Sequence, residues 1–306
     1  MTADDYAVCI RGVTKTFSGH TAVDDLNLAI PRGSVYGFIG PNGSGKTTTL
    51  RMVMRILHPD RGEIEVLGQT GQKAASDRVG YLPEERGLYK EMKVRDILRF
   101  YAELKGMRHS RPTIDLWLER MGLSDWRDKK VQALSKGMAQ KVQFIAAVVA
   151  NPELVLLDEP FSGLDPVNAV ALRVAVLDLR RQGTTIIFST HDMAVAERMC
   201  DSIFMINRGR KVLDGTLEAI QADYGTDTLR VRLNGAGAPG DLPGVLRVTD
   251  FGRYQELRLA DGADAQQVLR SLMARGPVQH FELTRPSLHD IFVRIAGPCD
   301  QEAAHA

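Results

Sequence analysis

Short apolar runs alternate with helical patterns over the first two-thirds of the chain. Three of these runs have polar residues at their ends, which is typical of strands buried on both faces of a parallel sheet. They are Ser34–Ile39, Leu154–Leu157 and Thr185–Ser189. Ile64–Leu67 and Ile203–Ile206 predict two shorter strands. Strands that alternate with helices in this way predict parallel βαβ units and therefore an α/β fold.

The segment between about residues 86 and 150 has a different pattern, without a convincing strand. Apolar side chains recur with helical spacing from Val94 to Leu104, which predicts a helix with one apolar face. The residues from Ile114 to Met121 indicate a second helix. We therefore expect a helical insertion in the α/β core.

The composition changes again from about residue 223. Leu229–Leu233 alternates apolar residues with arginines, as in a half-buried antiparallel strand, and the turn-rich segment Gly235–Gly244 indicates a linker. Later patterns predict strands at Leu257–Leu259 and Val278–Leu283, and helices at Val268–Ala274 and Leu288–Ile295. This β-β-α-β-α order predicts a small α+β domain.

These changes divide the chain into three expected parts. The first is a large domain at 1–222 with a helical subdomain at about 86–150. The second is the small domain at 223–297, and the third is a tail at 298–306.

Composition narrows the classes of function. The 306 residues carry a formal net charge of +1, which disfavours sequence-independent nucleic-acid binding as the main activity. The 3 cysteines lie far apart, so neither a disulfide scaffold nor a zinc ribbon is expected. No apolar run is long enough to span a bilayer, and the first residues do not form a signal peptide. We expect a cytoplasmic protein whose membrane role, if any, depends on a partner.

The segment that follows the strand Ser34–Ile39 fits the phosphate-binding pattern GxxxxGK[ST]. Glycines allow consecutive backbone N–H groups to surround a phosphate, and the helix that follows presents its positive end to the same anion. A lysine in this pattern reaches the β- and γ-phosphates, and the threonine hydroxyl can bind Mg²⁺. The candidate ATP-binding residues are Gly40, Pro41, Asn42, Gly43, Ser44, Gly45, Lys46, Thr47 and Thr48.

Two further apolar strands end in polar residues. Leu154–Leu157 leads into Asp158, a candidate Mg²⁺ ligand, and Glu159, a candidate for polarising the attacking water. Thr185–Ser189 leads to His191, which could contact the γ-phosphate. Taken alone, each group has a simpler interpretation: the two acids could form an ordinary turn, and the histidine could be structural. In combination with the glycine-rich loop, the pair of acids favours nucleotide hydrolysis.

The segment Leu134–Val142 resembles the LSGGQ signature of the ATP-binding subunits of ABC transporters. Ser135 and Gly137 match the signature, and Ser135 is also a candidate helix cap. Lys136 replaces a glycine and Met138 replaces the glutamine. The resemblance covers residues 6–220, with the motifs in the family's order. It implies a P-loop NTPase core of the ABC ATPase type, with a helical insertion and a small C-terminal α+β domain.

The resemblance also implies roles for three other residues. Phe17 resembles the aromatic residue that stacks on adenine, although a core phenylalanine is an equal alternative from the sequence. Asp165 resembles the loop residue that crosses the dimer interface. Glu84 stands where the family has a glutamine that binds Mg²⁺ and faces the membrane subunit; the simpler alternative is an exposed acidic turn. A carboxylate at this position changes the charge beside the metal.

In this family the signature contacts the ATP bound to the opposite subunit, so the resemblance implies a sandwich dimer of two copies. Tyr81–Tyr89 and the ending Pro286–Phe292 resemble the branch that contains sodium-efflux and drug-export ATPases. Members of this branch work with separate polytopic ABC-2-type permeases, so the chain is expected at the inner face of the membrane, without nucleic acid as a partner. The alternatives are a soluble ABC-type ATPase of translation or repair and a nucleotide-dependent regulator or kinase.

Overall fold

The computed structural model describes residues 5–70, 77–85, 87–225, 227–233, 241–260 and 262–296. The chain divides into two compact units, 1–216 and 217–306. The division falls six residues before the expected position at 222/223, because the helix Leu217–Asp223 belongs to the second unit. There its Gln221 side chain donates a hydrogen bond to the Pro286 carbonyl at 3.0 Å. The expected tail at 298–306 lies outside the described residues.

A six-stranded sheet forms the centre of the first unit. Its order is β5-β6-β7-β3-β8-β9; the first five strands are parallel and β9 is antiparallel to β8. The buried strands expected from the apolar runs are confirmed within one or two residues. These four are β3 (Val35–Ile39), β6 (Leu154–Asp158), β7 (Thr185–Thr190) and β8 (Ser202–Asn207). The sequence pattern predicted neither β5 (Val79–Leu82) nor β9 (Arg210–Gly215).

A second, antiparallel sheet consists of β1 (Tyr6–Phe17), β2 (His20–Pro31) and β4 (Arg61–Val66), in the order β2-β1-β4. The sequence pattern did not predict β1 or β2, and the parallel arrangement expected for the first two-thirds is wrong for this sheet. Along β2, Leu26, Leu28 and Ile30 are buried while the residues between them are exposed. This alternation is typical of a sheet with one solvated face.

The helices of the first unit cover the main sheet and form the expected insertion. Their bounds are α1 (Lys46–Val53), α2 (Val94–Leu104), α3 (Arg111–Arg120), α4 (Lys136–Val148), α5 (Pro166–Arg181) and α6 (Met193–Met199). The apolar face of α2 packs with α3 and α4 in one buried cluster. In that cluster the rings of Trp117 and Phe144 meet edge to face, with centroids 5.9 Å apart. No helix among the described residues is long and apolar enough to cross a membrane.

The second unit contains a four-stranded antiparallel sheet in the order β11-β12-β10-β13. It has one strand, β11, and one helix, α7, more than expected; residues 235–240 of the expected linker lie outside the described residues. One sheet face packs on α8 through Leu229, Leu257 and Leu272. The elements are α7 (Leu217–Asp223), β10 (Thr228–Leu233), β11 (Val245–Asp250), β12 (Gln255–Leu259), α8 (Ala265–Arg275), β13 (Val278–Thr284) and α9 (Leu288–Ala296).

Candidate active site

The glycine-rich loop joins β3 to α1, as the sequence predicts. Gly40 and Gly45 have φ angles of 156° and 111°, in the region that favours glycine. A Cβ added at Gly40 would lie 2.2 Å from the Ile206 carbonyl oxygen, and one at Gly45 would lie 2.4 Å from the Ala22 carbonyl oxygen. Both positions therefore require glycine, because the loop packs directly against the backbone of β2 and β8.

Lys46 folds back over this loop. Its Nζ donates to the carbonyl oxygens of Gly40 at 2.6 Å and Pro41 at 3.0 Å, and the residue is 6% exposed. Burial lowers the pKa of Lys46, while the charges of Glu159, Asp158 and Glu84 act in the opposite direction. The ammonium group is thus held inside the loop and within electrostatic reach of all three carboxylates.

Asp158 lies at the end of β6, where three elements of the site meet. Its Oδ1 accepts hydrogen bonds from the Thr47 hydroxyl at 3.2 Å and from the Ser189 hydroxyl at 2.5 Å. The strand β7 lies between β3 and β6, so Ser189 on β7 lies between the glycine-rich loop that follows β3 and the acids at the end of β6. Asp158 is fully buried, and its Oδ2 has no hydrogen-bond partner among the described residues.

Glu159 follows directly and is held from two sides. Its backbone N–H donates to the Ser189 hydroxyl at 3.0 Å, and its Oε1 lies 3.0 Å from Nδ1 of His191, a distance at which Nδ1–H donates to the carboxylate. Glu159 has a φ of 48°, which is uncommon for a residue with a side chain. The structure thus brings together Lys46, Thr47, Asp158, Glu159 and His191 from three separate parts of the sequence.

Sequence reasoning missed Ser189. A serine inside the apolar run of β7 resembles ordinary strand composition, and only its place opposite Asp158 in the sheet shows its contacts. The available signal was a fully buried hydroxyl next to the polar end of a strand, because such a group requires a partner.

The donor atoms at Asp158 fit a magnesium ion. Mg²⁺ prefers oxygen ligands, and the buried, unpartnered Oδ2 of Asp158 lies beside the hydroxyl of Thr47, which bonds the same carboxylate. The described residues contain no cluster of three or more His, Cys, Asp or Glu that could hold a metal ion. A Mg²⁺ ion here would therefore take most of its ligands from nucleotide phosphates and water, as this ion usually does.

The signature segment lies at the start of α4. Ser135 caps this helix by accepting a hydrogen bond from the Met138 N–H at 3.3 Å, which confirms the expected cap. A Cβ added at Gly163 would lie 2.8 Å from Nζ of Lys136, so the lysine side chain lies over this glycine. A Cβ on Gly137 would lie 3.2 Å from Nδ2 of Asn168.

Asp165 belongs to the loop that the signature contacts. It caps α5 by accepting hydrogen bonds from the backbone N–H of Asn168 at 2.9 Å and from the Asn168 side-chain amide at 2.5 Å. These bonds lower the pKa of Asp165. Ser135, Lys136 and Asp165 are all exposed. The structure therefore groups the signature with the Asp165 loop on an accessible surface.

Phe17 and Glu84 are both exposed. Phe17 ends β1 and is 41% exposed, so it is not the core phenylalanine of the alternative interpretation. Nζ of Lys15 lies 5.4 Å from the centre of the Phe17 ring. Glu84 follows β5, and its charge acts on Lys46 as described above.

Sequence reasoning also missed two buried glutamines on α4. The side-chain amide of Gln140 donates to the Pro160 carbonyl at 3.2 Å. The amide of Gln143 donates to the carbonyls of Pro83 at 3.2 Å and Glu85 at 3.1 Å. Helix α4 is therefore hydrogen-bonded to the loop after Glu159 and to the loop that contains Glu84.

Two family models match the chain. One, described as ABC transporter, matches residues 23–162. The other, described as ATP-binding protein DrrA1-3-like, C-terminal domain, matches residues 215–296. A solved structure titled as that of an ATP binding subunit of an ABC transporter has a TM-score of 0.68 and 30% identity, and the match covers 72% of this chain and 93% of that one.

Relatives match over nearly their whole length. The ABC transporter ATP-binding protein YhaQ of Bacillus subtilis is 42% identical, with 94% of this chain and 98% of that protein covered. The daunorubicin resistance ATP-binding protein DrrA3 of Streptomyces coeruleorubidus is 33% identical, with 96% of each covered. The Nod factor export ATP-binding protein I of Burkholderia orbicola is 32% identical, with 94% and 96% covered.

Proposed function

The chain belongs to the ATP-binding proteins of ABC transporters, and from this premise we propose how its residues bind and hydrolyse ATP to power a separate membrane permease. The family establishes an ATP-binding ATPase of a transporter. The observation that carries the residue assignments is the arrangement of Glu159, buried beside Asp158 and paired with His191 at 3.0 Å.

Residues 40–48 bind the triphosphate in this proposal. The loop supplies backbone N–H groups and the N-terminal end of α1, and Lys46 contributes a positive charge to the phosphates. Phe17 stacks on adenine; its exposed ring supports this role.

Thr47 and Asp158 would hold Mg²⁺, with Glu84 close enough to contribute charge. When bound, the ion neutralises phosphate charge that develops during transfer. Ser189 keeps the Asp158 carboxylate in place through its hydroxyl, so that Oδ2 stays available.

Glu159 acts as the general base. Its carboxylate orients a water molecule in line with the γ-phosphorus and accepts the proton as the new P–O bond forms; the bond to the ADP oxygen breaks, which leaves ADP and phosphate. His191 orients the carboxylate through its Nδ1–H and contacts the γ-phosphate from its exposed side.

We further propose that two copies of the chain close around two ATP molecules. Ser135, Lys136, Gly137 and Met138 of one copy face the γ-phosphate held by the other, and Asp165 lies at the contact between the copies. The support is the exposure of Ser135 and Asp165 and the positive N-terminal end of α4 behind them.

The chain is proposed to act at the cytoplasmic face of the membrane with a polytopic ABC-2-type permease. The names of two relatives refer to daunorubicin resistance and to Nod factor export, which supports export as the direction of transport. Purifying the chain with its permease and measuring drug and sodium efflux from vesicles tests this part.

Replacing Glu159 by glutamine tests the mechanism. We expect kcat for ATP hydrolysis to fall by about 10²–10⁴-fold, because the amide cannot accept the proton. ATP binding and ATP-dependent dimerisation, measured by size-exclusion chromatography with light scattering, should persist. Glu153→Gln, a surface change at a residue that pairs with Arg78, is the matched control and should retain activity. Undiminished ATPase activity in Glu159→Gln would refute the assignment.

A further inference from the structure

Helix α4 buries three polar side chains: Lys141, whose Nζ donates to the Met121 carbonyl at 2.6 Å, and the two glutamines Gln140 and Gln143. The glutamines are 3% and 5% exposed, next to the fully buried apolar residues Val142, Phe144 and Ile145. Burial of a polar group is unfavourable unless it is hydrogen-bonded, and such bonds restrict the position of the side chain. The side-chain nitrogens of both glutamines have partners, whereas Oε1 of Gln143 has none among the described residues. The hydrogen-bond partners of each side-chain amide therefore show which loop that glutamine holds.

Gln143 bonds the backbone on both sides of Glu84. Its single side-chain nitrogen donates to the carbonyl before Glu84 and to the carbonyl after it. These two bonds fix the carbonyls that flank Glu84, and so limit the directions in which its side chain can point. Glu84 in turn acts electrostatically on Lys46 in the phosphate loop.

The same helix starts at the signature. Ser135 caps α4, and Gln143 lies about two turns further along. A helix moves as a rigid element, so a displacement of the signature end is passed to any loop that the helix holds. Gln143 connects the Glu84 loop to this element.

We propose that Gln143 is a positioning residue that ties the Glu84 loop to α4, so that Glu84 stands beside Mg²⁺ and moves with the signature helix. This inference rests on the proposed role of Glu84 at the metal. The side-chain amide of Gln140 donates one hydrogen bond, to the Pro160 carbonyl. Gln140 serves as the internal comparison, because it holds the loop after Glu159 and not the Glu84 loop.

The test is a double-mutant cycle of Gln143→Met and Glu84→Ala in the full chain. The readout is binding of mant-AMP-PNP, followed by fluorescence over a titration with MgCl₂, which requires no turnover. Methionine keeps the length and volume of glutamine but donates no hydrogen bond. We expect Gln143→Met to raise the half-saturating Mg²⁺ concentration about tenfold, as for other residues that orient metal ligands. Glu84→Ala should have a similar effect.

The double variant decides whether the two residues act together. If Gln143 works through Glu84, adding Gln143→Met to Glu84→Ala changes the Mg²⁺ titration no further. Gln140→Met should leave the half-saturating Mg²⁺ concentration unchanged, and Gln182→Met, at an exposed position, controls for the substitution itself. Exchange of the backbone amide hydrogens of Glu84 and Glu85 should be faster in Gln143→Met than in Gln140→Met.

Three results would overturn the proposal: a wild-type Mg²⁺ titration in Gln143→Met, additive effects in the double variant, or an equal shift in Gln140→Met. A wild-type titration in Glu84→Ala would instead identify the assignment of Glu84 as the failing premise. If Gln143→Met does not fold, Gln143→Asn replaces it, because it keeps the amide but is too short to reach both carbonyls.

Discussion

The phosphate side of the site and the signature side are both proposed to contact the same phosphate, yet the fold holds them in different ways. Asp158 and Glu159 are buried at the end of β6. Both are hydrogen-bonded to Ser189 on the adjacent strand: its hydroxyl donates to the Asp158 carboxylate and accepts from the Glu159 backbone N–H. The signature residues Ser135 and Lys136 are exposed; Ser135 caps its own helix, and Lys136 lies over Gly163 in the Asp165 loop.

The difference indicates which half is complete within one chain. Groups fixed at the ends of buried parallel strands are positioned by the sheet and by hydrogen bonds within the same chain, such as those of Ser189. Groups on an exposed helix end are positioned by their cap but still lack a counterpart on their outer side. We therefore expect substitutions on the phosphate side to act within one chain, and substitutions on the signature side to act on the opposite copy.

The largest expected effect comes from mixing two inactive variants. Lys46→Ala removes the charge that is proposed to contact the phosphates, and Gly137→Asp places a carboxylate where the partner's γ-phosphate is expected. Each variant alone should lose nearly all ATPase activity. An equal mixture should recover about a quarter of the wild-type rate, because half of the dimers are mixed and each mixed dimer has one complete site.

The control for this experiment is Lys46→Ala mixed with Thr47→Ala, a second variant on the phosphate side. In this mixture no dimer can form a complete site. ATPase assays on both mixtures give the comparison. If the first mixture stays as inactive as the second, the signature does not act across the dimer and the distinction between the two sides fails.

Ser189→Ala sharpens the account of the phosphate side. The change removes two hydrogen bonds, to Asp158 and from the Glu159 backbone, and leaves buried groups without partners. We expect kcat to fall about 10–100-fold and the free energy of unfolding to fall by about 1–3 kcal/mol. Ser271→Ala is the control, because this hydroxyl donates to the Gln267 carbonyl of its own helix, α8. This variant should change neither the kcat of the ATPase assay nor the free energy of unfolding measured with denaturant. Wild-type kcat in Ser189→Ala would show that the sheet alone positions the acids.

The smallest expected effect is a pH dependence on the signature side. The folded-state pKa of Asp165 is lowered below its usual value of 3.8 by the bonds from Asn168. A lowered carboxyl pKa contributes stability above the unfolded value, and this contribution is lost as pH falls through the folded pKa. Asp165→Asn keeps a helix cap but does not titrate, so its deficit in Tm relative to wild type should shrink between about pH 5 and pH 3. A Tm deficit that stays constant over this pH range would contradict the lowered pKa of Asp165.

The sequence predicted the parts of the fold whose patterns are uniform. β3, β6 and β7 are buried on both faces, so each is a continuous apolar run, and α2 presents one apolar face at regular spacing. β1 and β2 were missed because neither keeps one pattern along its length. Residues 7–10 of β1 are all buried, β2 alternates regularly only in its second half, and the register between the two strands shifts, for example between Ile10 and Val13. β11 has no fully buried residue, so its pattern gave little signal.

The same distinction applies to the site. Loop residues such as Lys46 and acids such as Glu159 stand in motifs whose chemistry depends on residue type and spacing alone. Ser189 and Gln143 act through partners that are distant in sequence, so only the pairing of β6 with β7 and the packing of α4 show what they bond. The boundary between the units was placed late because α7 resembles any short surface helix.

The backbone of Glu159 has one more consequence. Its left-handed φ of 48° costs a residue with a side chain about 1 kcal/mol or more, whereas glycine adopts it freely. Selection of variants for heat resistance alone would therefore favour glycine at the very position proposed as the general base. Any laboratory evolution of this ATPase toward thermostability needs a parallel selection for turnover, since the folded state and the reaction make opposite demands on this residue.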